Sequence, residues 1–322
     1  MEVNVRRLVV ICQCGKVFAV NKVCTEEKTI MSLYNTFIAI LYFLTSILFV
    51  LLNGLIMLVL SIYKEYQTCT YFIIKNICLS CIMQLIPFIF GSFMTLFQSN
   101  IHPFLERILG ALIQAGWFFY LGLSVALAVD RLLIFVSPKP TRFNNRISMA
   151  FLIASWFLCL AVFVVFLMPE IAYTFKTEYG YYVWTYTSDS GSEVMRNAEA
   201  YTDLIMFAVI FGVYLVVLVY LIQLKQSVAV NSVSFSKEMR IFVTAVVSFV
   251  YESSFISLNY WVPASLSSHH LMNVVVNHSW IVDAGLFAVI IMIMNGRLRE
   301  RVAGLFERKR ALRIVSTING TG

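Results

Sequence analysis

The 322-residue chain is 60% hydrophobic and only 13% charged, with a mean hydropathy of +0.82, whereas soluble domains are roughly 45–50% apolar and about 25% charged. Water is therefore excluded as its main solvent. The net charge of +7 does not mark a nucleic-acid partner, because the basic residues fall at the ends of apolar runs and on the tail, not in an aromatic-interleaved patch.

The first thirty residues place Arg6 and Arg7 before a short apolar stretch, followed by Cys12, Cys14 and scattered charges. This is too broken to cross a membrane. Residues 1–30 are read as an N-terminal extension, with Met31, directly before the first long apolar run, as a candidate true start. Mostly apolar runs then follow at 34–63, 71–97, 108–136, 147–168, 202–224, 239–261 and 272–294. About twenty such residues span a roughly 30 Å hydrocarbon core as a helix. The runs are continuous and lack the period-two alternation of an outer-membrane barrel. The expected fold is all-α: a seven-transmembrane helix bundle over 31–295, then a cytoplasmic tail, 296–322.

Orientation follows from Lys and Arg beside the helix ends, which stay in the cytoplasm. One face collects Lys64, Lys75, Arg131, Lys139, Arg142, Arg146, Lys225, Lys237, Arg240 and seven more between Arg297 and Arg313; the opposite loops hold Arg107, Lys176 and Arg196, besides five basic residues in the first thirty. This bias places the N-terminus outside and the C-terminus in the cytoplasm. The longest connection, Glu170 to Thr202, carries Tyr179, Tyr181, Tyr182, Trp184 and Tyr186. Such amphipathic rings suit a membrane-interface belt, the simpler reading, or a lid over a pocket. Past Asn295, residues Leu298, Val302, Leu305 and Phe306 share one helical face among basic neighbours. A short amphipathic helix lying on anionic membrane lipid is expected there.

Seven cysteines show neither zinc-ligand spacing nor a disulfide framework, so no metal site is expected. His102, His269, His270 and His278 all fall in or near loops on one face, and no nucleophile and base share a depth. No enzyme and no catalytic residue is expected, and no cofactor either: a retinal Schiff base needs a Lys, and none lies between Lys237 and Lys309.

The chemistry-bearing positions are the few polar ones inside the spans. Asp130 and Arg131 close the third span, where ionisable residues are costly and usually paired; by itself the Arg fits either a snorkelling side chain or a switch. Glu252 and Asp283 are further intramembrane acids, to be neutralised, paired or hydrated, with Asn53 as a candidate hydrogen-bond neighbour. The halves of spans three, six and seven on the opposite side supply Gln114, Trp117, Tyr120, Asn259, Tyr260, Asn277, His278 and Trp280, a mostly apolar setting with a few polar groups, suited to a small molecule. Any of these rings also fits an interfacial belt.

Asp130-Arg131-Leu132, with Pro138 seven residues after the Arg, resembles the Asp-Arg-Tyr segment of rhodopsin-like G-protein-coupled receptors. Asn53 in span one, Trp156, 25 residues beyond Arg131, and Asn295 with Arg299 fall where that family keeps its markers. The resemblance covers about Tyr34 to Arg313. Span seven reads Phe287-Ala288-Val289-Ile290-Ile291 in place of Asn-Pro-x-x-Tyr. Span two offers Cys81, Met83 and Gln84 but no acid, and Glu106 stands where the family has its disulfide cysteine. This relaxed pattern is similar to the nematode serpentine chemoreceptors, class T or X.

The resemblance implies a chemosensory receptor in the plasma membrane of a sensory cell. It would take a small molecule in the outer half of the bundle, with Trp184 of the long loop among the ligand contacts, and activate a heterotrimeric G protein from the cytoplasmic face. Arg131 would rest against Asp130 and be released when span six swings outward; Tyr220, Lys237, Arg240 and Asn295 would border the cavity that opens, Tyr220 fitting equally an interfacial anchor. A membrane transporter or ligand-gated channel using Glu252 and Asp283 is the alternative from another class.

Overall fold

The computed structural model describes residues 17–99, 102–136, 142–178, 181–226, 232–261 and 272–305. The apolar runs form seven long helices: α1 (Val17–Ile62), α2 (Cys69–Phe97), α3 (Pro103–Val136), α4 (Arg142–Phe166), α5 (Ser190–Gln226), α6 (Ser232–Trp261) and α7 (Met272–Met294). A short α8 covers 296–305. Helices are what a lipid-embedded chain must form, because each backbone group has to find its partner inside the segment. Six of the seven are long and apolar enough to cross a membrane; the apolar part of α6 is shorter, Phe242–Ser257, because serines and Glu252 interrupt it. The chain is an integral membrane protein with a seven-helix bundle.

Two boundaries differ from the hydropathy reading. The α1 helix runs unbroken through position 31 from Val17, since its Lys and Glu residues are good helix formers though poor membrane residues; the apolar window itself opens at Leu33. The α5 helix starts at Ser190, not near 202. The Glu193 N–H donates to the Asp189 carbonyl at 3.1 Å, so three further turns extend from the membrane.

Burial assigns the layers. In the apolar window of α3, 72% of residues are buried, against 28% for α1, α4 and α5. The third helix is thus the axis, and the others turn rows such as Phe37, Leu44, Leu48 and Leu51 of α1, or Phe157 and Leu160 of α4, outward. Exposed apolar stripes of that extent belong against lipid. Close approach of α3 and α4 rests on Gly122, where a Cβ would stand 2.7 Å from Ser155 Oγ.

One antiparallel hairpin, β1 (Tyr173–Glu178) and β2 (Tyr181–Tyr186), lies across the bundle end at which α3 and α5 begin. Tyr173 pairs with Tyr186 and Phe175 with Trp184, so alternation puts these four rings on one face. Phe175 and Trp184 are almost completely buried. The opposite end carries α8.

Candidate functional site

At the α8 end, where α3 finishes, Arg131 folds back onto its own neighbour. Its Nη2 donates to Asp130 Oδ2 at 2.7 Å and to Thr70 Oγ1 at 2.5 Å. The Thr70 hydroxyl, in the first turn of α2, donates in turn to Asp130 Oδ2 at 2.6 Å. From α4, the Ser148 hydroxyl donates to Asp130 Oδ1 at 3.0 Å. All four residues are buried, Arg131 completely. Successive residues of a helix point about 100° apart, so Arg131 must fold back to reach Asp130, and Thr70 bonds to both of them. In such a setting, removing one partner of the ion pair costs about 3–5 kcal/mol, because it strands a buried charge.

The other residues expected at this end are placed as follows. Tyr220 is half-buried on α5 and Arg240 exposed on α6; the side chain of Lys237 lies outside the described residues. Asn295 stands between α7 and α8, where its Oδ1 accepts the Leu298 N–H at 3.2 Å and so caps α8. Arg299 donates to the Met292 carbonyl at 2.9 Å and also to that of Ile293, closing the last turn of α7. Arg301 pairs with Glu65 at 2.9 Å beside a 3-10 turn, Lys64–Tyr66. Burial first, and the Glu65 carboxylate second, push the Tyr66 phenol up to about 12.

Under the hairpin the rings cluster. Trp117 on α3 stacks on Tyr120 at 6.1 Å and meets Trp280 of α7 edge-on at 5.8 Å; Trp280 in turn faces Tyr173 of the hairpin at 6.1 Å. The Trp117 indole N–H donates to Asp203 Oδ1 of α5 at 3.1 Å, the Tyr120 hydroxyl to Glu252 of α6, and the Trp280 N–H to Gln84 Oε1 of α2 at 2.8 Å. Asn277 grips β2 in both directions: its Oδ1 accepts the Trp184 N–H at 3.0 Å and its Nδ2 donates to the Trp184 carbonyl at 3.4 Å. His278, half-buried, stacks on Tyr42 of α1 at 6.1 Å. Gln114 is fully buried. The side chains of Asn259 and Tyr260 lie outside the described residues.

Trp117, Tyr120, Trp184 and Trp280 are at most 5% exposed, which excludes the interfacial-belt reading for them. The hairpin covers this end of the bundle as a structural lid, its pairing register turning Tyr173, Phe175 and Trp184 inward. Asn53, the candidate neighbour of the intramembrane acids, bonds to backbone instead: its Nδ2 donates to the Phe49 and Ala284 carbonyls at 2.9 and 3.3 Å. Asp283 lies within electrostatic reach of Glu252 instead. With Tyr120, Tyr214, Ser124 and Ser248, Glu252 lines an internal cavity of about 10 Å³, room for about one water. Trp156 faces lipid, its ring 4.5 Å from Phe119, and borders an apolar groove of about 620 Å³ between α2, α3 and α4 on the bundle flank.

Several residues of these networks carry no mark in the sequence. Thr70 and Ser148 are ordinary hydroxyls near helix starts, and only the helix packing aims them at Asp130. Asp203, within the run at 202–224 but not singled out there, is a further buried acid on α5, packed against Trp117. Glu106 accepts the Phe175 N–H at 2.8 Å, anchoring β1 to α3 by a hydrogen bond at the position the sequence had singled out. One turn on, Gly110 has no room for a side chain, since a Cβ would lie 1.7 Å from the Tyr173 carbonyl oxygen.

Residues 13–314 match the family model described as "Serpentine type 7TM GPCR chemoreceptor Srt". Among curated proteins none matches. Among solved structures, the crystal structure of squid rhodopsin aligns with a TM-score of 0.66 at 14% identity, covering 86% of each chain; at that identity the likeness is one of fold. Among the described residues there is no cluster of His, Cys, Asp and Glu able to hold a metal ion.

Proposed function

The chain belongs to the serpentine seven-transmembrane chemoreceptors of type Srt, a non-enzymatic, GPCR-like family, and from that premise we propose that it binds a small molecule beneath the hairpin and activates a heterotrimeric G protein from the α8 end. The hairpin end faces outward and the α8 end the cytoplasm, in keeping with the Lys and Arg bias of the loops. The membrane is the plasma membrane of a sensory cell.

The observation that carries this reading is the buried network of Asp130, Arg131, Thr70 and Ser148. It ties α2, α3 and α4 together around a cation that is released only when its partners part. A ligand acts through the contacts that are better in the released state. Trp117 and Tyr120 sit on α3 above that network and bond to Asp203 of α5 and Glu252 of α6, so a change under the hairpin reaches the two helices that must move. Tyr220, Lys237, Arg240 and Asn295 border the opening.

The test is ligand-evoked G-protein activation in cells over a panel of small metabolites, wild type against Arg131→Ala at equal surface expression. A response that the mutant loses is expected. An ionic current that survives both the mutation and removal of G proteins refutes the receptor reading in favour of a ligand-gated channel.

A further inference from the structure

The groove on the bundle flank has a volume of about 620 Å³, within the roughly 300–1,000 Å³ of small-molecule sites. Along α4 it runs from Ile153 to Phe163, about 15 Å of helix. That is half of a roughly 30 Å hydrocarbon core. Phe163 lies one turn from the hairpin end of α4 at Phe166, so the groove occupies the half of the membrane on the hairpin side. Leu112 of α3 and Met83 of α2 form its back wall with Cys159, and no charged side chain is among the described residues that line it. Phe157 and Leu160 on its rim are 69% and 60% exposed, so it opens directly on lipid.

A cation stands at the mouth of this groove. Arg107 precedes Leu112 on α3 by five residues, about 7.5 Å of helix. It reaches across to the end of α4, where its Nη2 donates to the Pro169 carbonyl at 2.8 Å in an exposed position. That bond uses one of the five guanidinium N–H groups, and among the described residues Arg107 forms no ion pair. Glu170, the residue after Pro169, is exposed.

We propose that this face holds one zwitterionic glycerophospholipid of the leaflet on the hairpin side, its phosphate on Arg107 and one acyl chain in the groove. The order of chemistry along the site is that of the lipid: cation at the interface, then hydrocarbon to the middle of the membrane. A sterol or free hydrocarbon fills the groove but leaves the guanidinium without an anion. A fatty acid supplies the anion but has no ammonium to set beside Glu170. A phosphate also takes the forked donors of an arginine well.

The bound chain backs the ring cluster. Trp156 on the groove wall meets Phe119 at 4.5 Å, next to Tyr120, and Met83 precedes Gln84, which accepts from Trp280. A lipid that binds only the folded chain raises its stability by mass action. The inference is independent of the receptor reading, since neither a ligand nor a G protein enters it.

The experiment reconstitutes the full chain in nanodiscs of palmitoyl-oleoyl phosphatidylcholine, strips it with detergent, and counts the phospholipids retained per chain by native mass spectrometry. One is expected to survive after the rest have gone, with a Tm that falls when it too is removed. Arg107→Gln keeps a donor for the Pro169 carbonyl but loses the charge, and should weaken retention about fivefold. Leu112→Trp fills the groove and should abolish retention. A second readout needs no groove variant: on the stripped protein, phosphatidylcholine brominated near the chain end should quench Trp156 more than phosphatidylcholine brominated beside the carbonyl, measured as the difference from Trp156→Phe.

No retained lipid, or retention equal in the wild type and both variants, overturns the inference. So does equal quenching from the two bromine positions, or displacement of the phospholipid by palmitate or cholesterol at equal concentration. A dimer whose formation expels the lipid at native phospholipid levels assigns the groove to a second copy and overturns it as well.

Discussion

Replacing Thr70 by Val tests whether the network at the α8 end holds the resting state. Val keeps the shape and removes the hydroxyl that donates to Asp130 Oδ2 at 2.6 Å and accepts from Arg131 Nη2 at 2.5 Å. Hydrogen bonds to charged groups contribute about 1.5–3 kcal/mol each. Asp130 keeps both Arg131 and Ser148, so a net loss of about 2 kcal/mol is reasonable, roughly a thirtyfold change in an equilibrium constant. If the released state is populated at about 0.1%, a typical minor-state level, it rises to about 3%. The assay is ligand-free nucleotide exchange on a Gα subunit in membranes, normalised to surface receptor, with Ser148→Ala expected to move it in the same direction. Exchange that stays flat or falls in Thr70→Val, at undiminished surface level, refutes the idea that these contacts restrain Arg131.

Two predictions concern the hairpin. Glu106→Ala removes the acceptor of the Phe175 N–H and should loosen the lid by about 1–3 kcal/mol, seen as hydrogen exchange in 173–186 at least about tenfold faster, while Glu106→Gln, which keeps an acceptor oxygen, should retain protection. Gly110→Ala drives a methyl into the Tyr173 carbonyl, 1.7 Å from where its carbon would sit; since both sides are backbone, a loss of about 1–3 kcal/mol or more is expected, read as a lower Tm with exchange at the α8 end unchanged. An unaltered hairpin in either alanine variant would mean that it is held from α2, α5 and α7 without need of α3.

The membrane class, the seven helices and the amphipathic segment after them were legible in the sequence. Transfer of a side chain into lipid depends on that side chain, and twenty apolar residues in a row announce a span without knowledge of any partner. The pairing of Asp130 with Arg131 was legible for the same reason, because the two are neighbours. So was the family resemblance, carried by positions fixed within single helices. Ends of helices were less legible: α5 begins at Ser190 because a helix outlasts its apolar window once local hydrogen bonds sustain it.

What the tertiary structure alone decided is which distant residues meet. Thr70 stands 60 residues from Asp130, Tyr120 132 from Glu252, and Gln84 196 from Trp280. Their hydrogen bonds exist only after the helices have packed in one rotation and depth. The same packing turned Trp184 from an apparent interface residue into the buried side of a lid. It also made Asp203 an interior acid, and left Gln114 buried with its amide unbonded. Hydropathy is a property each residue carries by itself, whereas a hydrogen bond belongs to a distance between two residues, and no run of sequence records that distance.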